Sequence, residues 1–152
     1  MTSTITEIQT TQVYQLFIKA TPEQIWDAIT KPEFTEKYFH GTRADFDLRP
    51  GGKFRSLTGD TDDVMVDGEV VESDPPHKLV HTWKTHWSPD MAAEEPSRLT
   101  WEIAPQEDGT TLLTVVHDQL EGAPKTAAAV AGGWMRVLSG LKTLLETGEP
   151  LA

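Results

Sequence analysis

The chain contains no cysteine, which excludes disulfides, thiolate metal ligands and a thiol nucleophile. Basic residues are scarce: 13 Lys and Arg stand against 24 Asp and Glu, a formal net charge of -11 at pH 7. Phosphate backbones and anionic lipid surfaces repel such a molecule, and no local Lys/Arg cluster offsets the imbalance. Nucleic-acid partners are therefore not expected. No apolar run approaches the roughly 20 residues that cross a bilayer, so membrane insertion is not expected either. Met1-Thr2-Ser3-Thr4-Ile5-Thr6 has neither the basic nor the apolar region of a signal peptide. The expected location is the cytoplasm.

What is present is globular. The 152 residues, 38% hydrophobic and 24% charged, suit one ordinary domain, expected over 1–152 with its core at about 13–148. The first ten residues are polar and Thr-rich and read as a loose arm or the start of an edge strand. From Val13 to Ala20, Tyr14, Leu16 and Ile18 alternate with Gln15 and Lys19, the pattern of a half-buried strand. Thr21-Pro22-Glu23-Gln24 carries an N-cap, a proline at the first helical position and the partner of a capping box. Ile25, Trp26 and Ile29 form the apolar face of that helix. Pro32 ends it and opens a second short helix through Phe34 and Tyr38.

The chain from Arg43 to His117 reads as strands joined by turns. Strands are expected at Asp45–Leu48, Lys53–Leu57, Met65–Ser73, Lys78–Thr85, Arg98–Ala104 and Thr110–His117. Pro50-Gly51-Gly52, Asp74-Pro75-Pro76 and Glu107-Asp108-Gly109 supply turns, and Trp87–Pro96 is expected to be an irregular loop. Beyond Pro124 the period changes: Trp134, Val137, Leu138, Leu141, Leu144 and Leu145 recur at three- and four-residue spacing up to Gly148. That predicts a helix of ~35 Å. The fold class is α+β: a curved antiparallel sheet, gripping one long C-terminal helix, with two short helices after the first strand.

No motif names a chemistry. There is no Gly-x-Ser-x-Gly elbow, no His-Glu-x-x-His spacing and no phosphate-binding glycine loop. No catalytic residue, metal or cofactor is assigned. Of the five histidines, His81 and His117 face inward by alternation, on strands separated by Arg98–Ala104. If the chain were a cyclase or hydrolase, its acid-base candidates would be His81, His117, Tyr14 and Arg98. The aromatic weight of the inner faces favours instead an apolar pocket lined by Tyr14, Leu16, Trp83, Trp101, Val115, His117, Trp134 and Leu138. Tyr38, Phe39 and Trp87 are placed at its mouth.

Several ordered segments also carry a resemblance. They are Ala20-Thr21-Pro22-Glu23-Gln24-Ile25-Trp26-Asp27-Ala28, Leu48-Arg49-Pro50-Gly51-Gly52-Lys53-Phe54, Gly68-Glu69-Val70-Val71-Glu72, Asp74–Trp83, Asp108-Gly109-Thr110-Thr111-Leu112, and Gly133-Trp134 with Leu138, Leu141 and Glu146-Thr147-Gly148. In this order, over about Val13 to Gly148, they resemble the START-like (SRPBCC, helix-grip) superfamily. Within it they are similar to the bacterial proteins named after the activator of the heat-shock-protein-ninety ATPase. The resemblance implies an apolar cavity under the long helix. It also implies a range of functions, including lipid carriers, hormone receptors, polyketide cyclases and chaperone-binding proteins, because one fold hosts many. The expected partners are a small hydrophobic ligand and, secondarily, a chaperone or regulator protein, with the chain a monomer or weak homodimer. The activator architecture adds a separate N-terminal domain, for which this chain is expected to have no room.

Overall fold

A computed structural model of the chain describes residues 10–151; the polar arm expected at the N-terminus lies, up to residue 9, outside them. Strand β1 (Gln12–Ile18) leads into helices α1 (Pro22–Thr30) and α2 (Pro32–Tyr38). Strands β2 (Arg43–Phe46), β3 (Lys53–Leu57), β4 (Val64–Asp74) and β5 (Lys78–Thr85) follow as a meander. A single turn of helix, α3 (Pro89–Ala92), precedes β6 (Ser97–Pro105), β7 (Thr111–Asp118) and the long helix α4 (Pro124–Thr147). The seven strands form one antiparallel sheet in the order β1-β7-β6-β5-β4-β3-β2. The α+β helix-grip architecture is the one the periodicities imply.

Local chemistry sets the boundaries. Thr21 Oγ1 accepts the Gln24 N–H at 3.1 Å and the Gln24 side chain accepts the Thr21 N–H at 2.8 Å, the reciprocal capping box that starts α1. At the other end of the chain, Gly148 takes the left-handed conformation at φ 79° and closes α4 through its N–H to the Leu144 carbonyl. The stretch expected to be an irregular loop contains α3. Ser88 caps that turn by accepting the Met91 N–H at 3.2 Å, and Pro89 opens it. A four-residue turn is too short for any periodicity to announce it.

The inner face of the sheet follows the alternation of β5, β6 and β7. Leu79, Leu99, Leu113 and Leu141 are all fully buried, each stabilising the fold by about 1.5–3 kcal/mol. Register shifts opposite Ser56/Leu57 and between Val70 and Glu72 mark two bulges in β4, at Met65 and Val71, that add twist to this half of the sheet. Between them Gly68 backs onto β5, where any Cβ would overlap the Thr82 carbonyl oxygen. The curved sheet turns its concave face to α1, α2 and α4.

Candidate functional site

The concave face is unusually rich in rings. Trp134 of α4 points at the sheet and meets Trp101 edge-on at 5.6 Å, Trp83 at 5.8 Å and His117 at 6.0 Å. Phe39, just past α2, completes the group at 5.7 Å from Trp134 and 6.3 Å from Trp83. A second group continues along the sheet, with Phe46 stacked on Phe54 at 4.6 Å and His81 4.4 Å from Phe54. Such pairs add stability beyond simple area burial and are stiff.

Both inward histidines are held by tryptophans. The Trp101 indole N–H donates to His81 Nε2 at 3.2 Å, leaving the ring proton on Nδ1, which donates to the Thr82 carbonyl at 3.0 Å. The Trp134 indole N–H donates to His117 Nδ1 at 3.1 Å, leaving the proton on Nε2 to be given to Ser97 Oγ at 2.8 Å. Ser97 passes its own proton to the Trp83 carbonyl at 3.2 Å. Each imidazole is thus fixed as one neutral tautomer, because an indole can only donate. Burial pushes His81 down to about 4. Burial, reinforced by nearby His81, pushes His117 down to about 3. The strand β6 keeps the two rings apart, and they serve different tryptophans.

Three cavities are lined by both Phe39 and Trp83. An inner one of about 20 Å³, enough for roughly one water, is enclosed by Phe39, Phe46, Phe54, Trp83, Trp101 and Ser56 among others. An outer cleft of about 300 Å³ opens between Phe39, His40, Met65, Trp83 and Trp87, the lower end of the usual size for a small-molecule site. The two share Phe39, Thr42, Ser56 and Trp83 as a common wall. A third space of about 20 Å³ lies between Phe39, His40 and Trp87 on one side and Val130, Gly133, Trp134 and Val137 of α4 on the other.

The residues singled out from the sequence divide accordingly. Trp83 lines all three spaces, Trp101 the inner one and Trp134 the third, while Tyr14, Leu16, Val115, His117 and Leu138 line none of these three. Val115, His117 and Leu138 are buried in the packed interior. Tyr14 and Leu16 pack against its edge, where the Tyr14 hydroxyl donates toward the Ala131 carbonyl at 3.2 Å and ties β1 to α4. At the mouth, Phe39 lines all three spaces and Trp87 two. Tyr38 lies deeper, its hydroxyl donating to the Ala28 carbonyl at 2.7 Å. Arg98 points away from the rings and pairs with Asp118 at 2.7 and 3.0 Å. Among the described residues no three His, Asp or Glu side chains converge.

Sequence reasoning passed over Phe46, Phe54 and Ser56, which carry the β2–β3 half of the cavity wall. The signal was there: Ala44 and Phe46, like Phe54 and Ser56, recur at period two on paired strands. It also passed over Glu94. The N-cap residue of α4 is Ala123, whose side chain cannot cap, and Glu94 does so from the α3 loop. Its Oε1 accepts the Thr126 N–H at 3.0 Å and hydroxyl at 2.7 Å, and its Oε2 accepts the Lys125 N–H at 2.7 Å. This strap holds the loop that carries Trp87 against α4. Glu94→Ala is expected to cost about 2 kcal/mol, seen as a fall in Tm on the order of 5 °C. A Tm unchanged within a degree would mean the strap contributes nothing.

Comparison with known proteins places this geometry. The profile of the activator of Hsp90 ATPase homolog 1-like proteins matches residues 19–146. No curated protein matches the sequence. Among solved structures, protein MLL2253 from Mesorhizobium loti is similar at a TM-score of 0.72 and 26% identity, over 90% of this chain and 96% of that one. An HSP90 activator from Plasmodium falciparum, PFC0360w, gives 0.68 and 23%, over 93% and 99%. The Aha1 dimer from Colwellia psychrerythraea gives 0.69 and 19%, over 92% and 98%.

Proposed function

This chain belongs to the family of activator of Hsp90 ATPase homolog 1-like proteins, and on that basis we propose that it is a cytoplasmic binding domain for a small hydrophobic or aromatic molecule of lipid or polyketide type. The ligand is held between the sheet and the helices, acting as cargo or signal. The observation that carries the reading is the wall common to the inner cavity and the outer cleft. Phe39, Thr42, Ser56 and Trp83 line both a space of about 20 Å³ and a cleft of about 300 Å³. Both are lined mainly by aromatic and aliphatic side chains, as small-molecule sites are. The histidines support binding rather than acid-base chemistry, since all four of their ring nitrogens are already engaged. A cyclase or hydrolase would have to free one.

Native mass spectrometry of the protein purified gently from its host tests this reading. A stoichiometric apolar small molecule is the expected result. A clean apo mass that fails to shift across a panel of lipids and polyketides would overturn it.

A second reading, a protein-interaction module for a chaperone or regulator, draws on β1. That strand is an edge of the sheet, and on its outer side Val13 and Phe17 are 57% and 56% exposed. The P. falciparum relative is described as an HSP90 activator and the C. psychrerythraea relative as a dimer. A monomer or weak homodimer is the matching assembly here, and the same spectrum would reveal it.

A further inference from the structure

Ser56 sits on β3 opposite Ala44 of β2 and Val66 of β4, in a row that faces the helices. It is 7% exposed, lines both the inner cavity and the outer cleft, and its hydroxyl makes no hydrogen bond with any described residue. The other polar side chains of the inner cavity are committed, while His40 and the Trp87 indole lie on the exposed side of the cleft. Thr42 Oγ1 donates to the Phe39 carbonyl at 2.6 Å, Thr35 Oγ1 accepts the Ala44 N–H at 2.9 Å, and the Trp83 indole N–H donates to Thr85 at 3.0 Å. Both nitrogens of His81 are occupied as described. On the shared wall, Ser56 is therefore the residue whose hydroxyl proton is not already given to another described group.

The lining constrains what that proton can meet. No Asp, Glu, Lys or Arg lines the inner cavity or the cleft. A charged ligand there would be desolvated without a counter-charge, and the net charge of -11 further disfavours an anion. A space of about 300 Å³ between Phe39, Trp83 and Trp87 suits flat rings that stack or meet edge-on better than a long flexible chain. On the wall shared by cavity and cleft, the one uncommitted hydroxyl discriminates strongly. A ligand oxygen satisfies it, whereas a purely hydrocarbon ligand covers it and leaves it unpaired.

We propose that Ser56 selects the ligand: the site takes an uncharged, compact aromatic molecule bearing a phenol-type hydroxyl or a carbonyl, with that oxygen hydrogen-bonded to Ser56 Oγ. The assignment rests on the binding reading above and narrows it from hydrophobic molecules in general to hydroxylated or oxo-aromatic ones.

The test is a protein-observed NMR titration of the full chain with 2-naphthol, naphthalene and 2-naphthoate. Wild type is expected to bind 2-naphthol about tenfold more tightly than naphthalene, the worth of one satisfied hydrogen bond, and 2-naphthoate more weakly than either. In Ser56→Ala, 2-naphthol should fall to the level of naphthalene while naphthalene stays unchanged. Ser56→Thr, which keeps the hydroxyl, should retain the preference. An unchanged urea midpoint shows that each variant is folded. Equal binding of 2-naphthol and naphthalene to wild type, tighter binding of 2-naphthoate, or the same preference in Ser56→Ala as in wild type would each overturn the role of Ser56 while leaving the pocket standing. If none of the three probes binds wild type, the binding reading falls and the Ser56 assignment with it.

Discussion

Truncation of Trp134 to alanine will remove about 4 kcal/mol of stability, the range found when a large buried ring is cut back to a methyl group. The ring is 2% exposed and touches Phe39, Trp83, Trp101 and His117 at once. Its loss opens a hole where the helix meets the sheet and also strips His117 of the N–H that holds its Nδ1. Trp134→Phe separates the two effects. It keeps most of the ring and removes only the donor, so the loss should shrink to about 1–3 kcal/mol, the cost of one orphaned buried acceptor. Urea unfolding followed by far-UV circular dichroism measures both. A loss below about 1 kcal/mol for Trp134→Ala would mean that Trp134 faces a yielding pocket rather than a packed interior. The centre of the ligand site would then move from the Phe39 wall back towards α4.

Acid should unfold this protein earlier than its carboxylates alone would. In the unfolded chain both histidines take up protons near the ordinary value of about 6.5. In the folded protein His81 resists until about 4 and His117 until about 3. Above about pH 6.5 the rings are neutral in both states and pH has no leverage through them. As pH falls from about 6.5 towards 4, the unfolded state gains protons that the folded state cannot bind, so stability drops by up to roughly 3 kcal/mol per pH unit for the pair. Nearby Asp118 opposes the fall slightly by favouring protonated His117. Urea midpoints across pH 7 to 4.5 will show this slope, and His117→Gln should halve it. A slope that is flat in wild type, or unaltered in His117→Gln, would show that the rings are charged or reached by water in the folded state.

The fold was legible because its largest signals are periodic or chemically explicit. The α4 stripe from Trp134 to Leu145, the Thr21-Pro22-Gln24 cap and the alternation of Leu99, Trp101 and Ile103 each left few alternatives. The site was legible only in part, because composition cannot distinguish a wall from a core. Trp83 and Val115 carry the same inward alternation, yet Trp83 borders all three of the cavities described and Val115 packs solidly. What separates them is where α2 ends and drops Phe39 onto the sheet, and no residue pattern encodes that distance. Glu94 was hidden for a related reason. It caps a helix thirty-odd residues further along the chain, beyond the reach of the local rules that found Thr21.

The pairing of β1 with β7, Leu16 opposite Leu113, has a consequence for the order in which the molecule is made. The first described strand has as its partner the last, β7. The strands that precede β7, from β2 to β6, pair with neighbours close in sequence and can zip as they emerge. β1 must wait, with Leu16 and Ile18 uncovered, until Asp118 has been added. Closure of the sheet is thereby delayed until β7 has emerged and is dominated by one long loop closure, which places the domain among the slower folders. During that interval a free, apolar strand is the segment most in need of a chaperone.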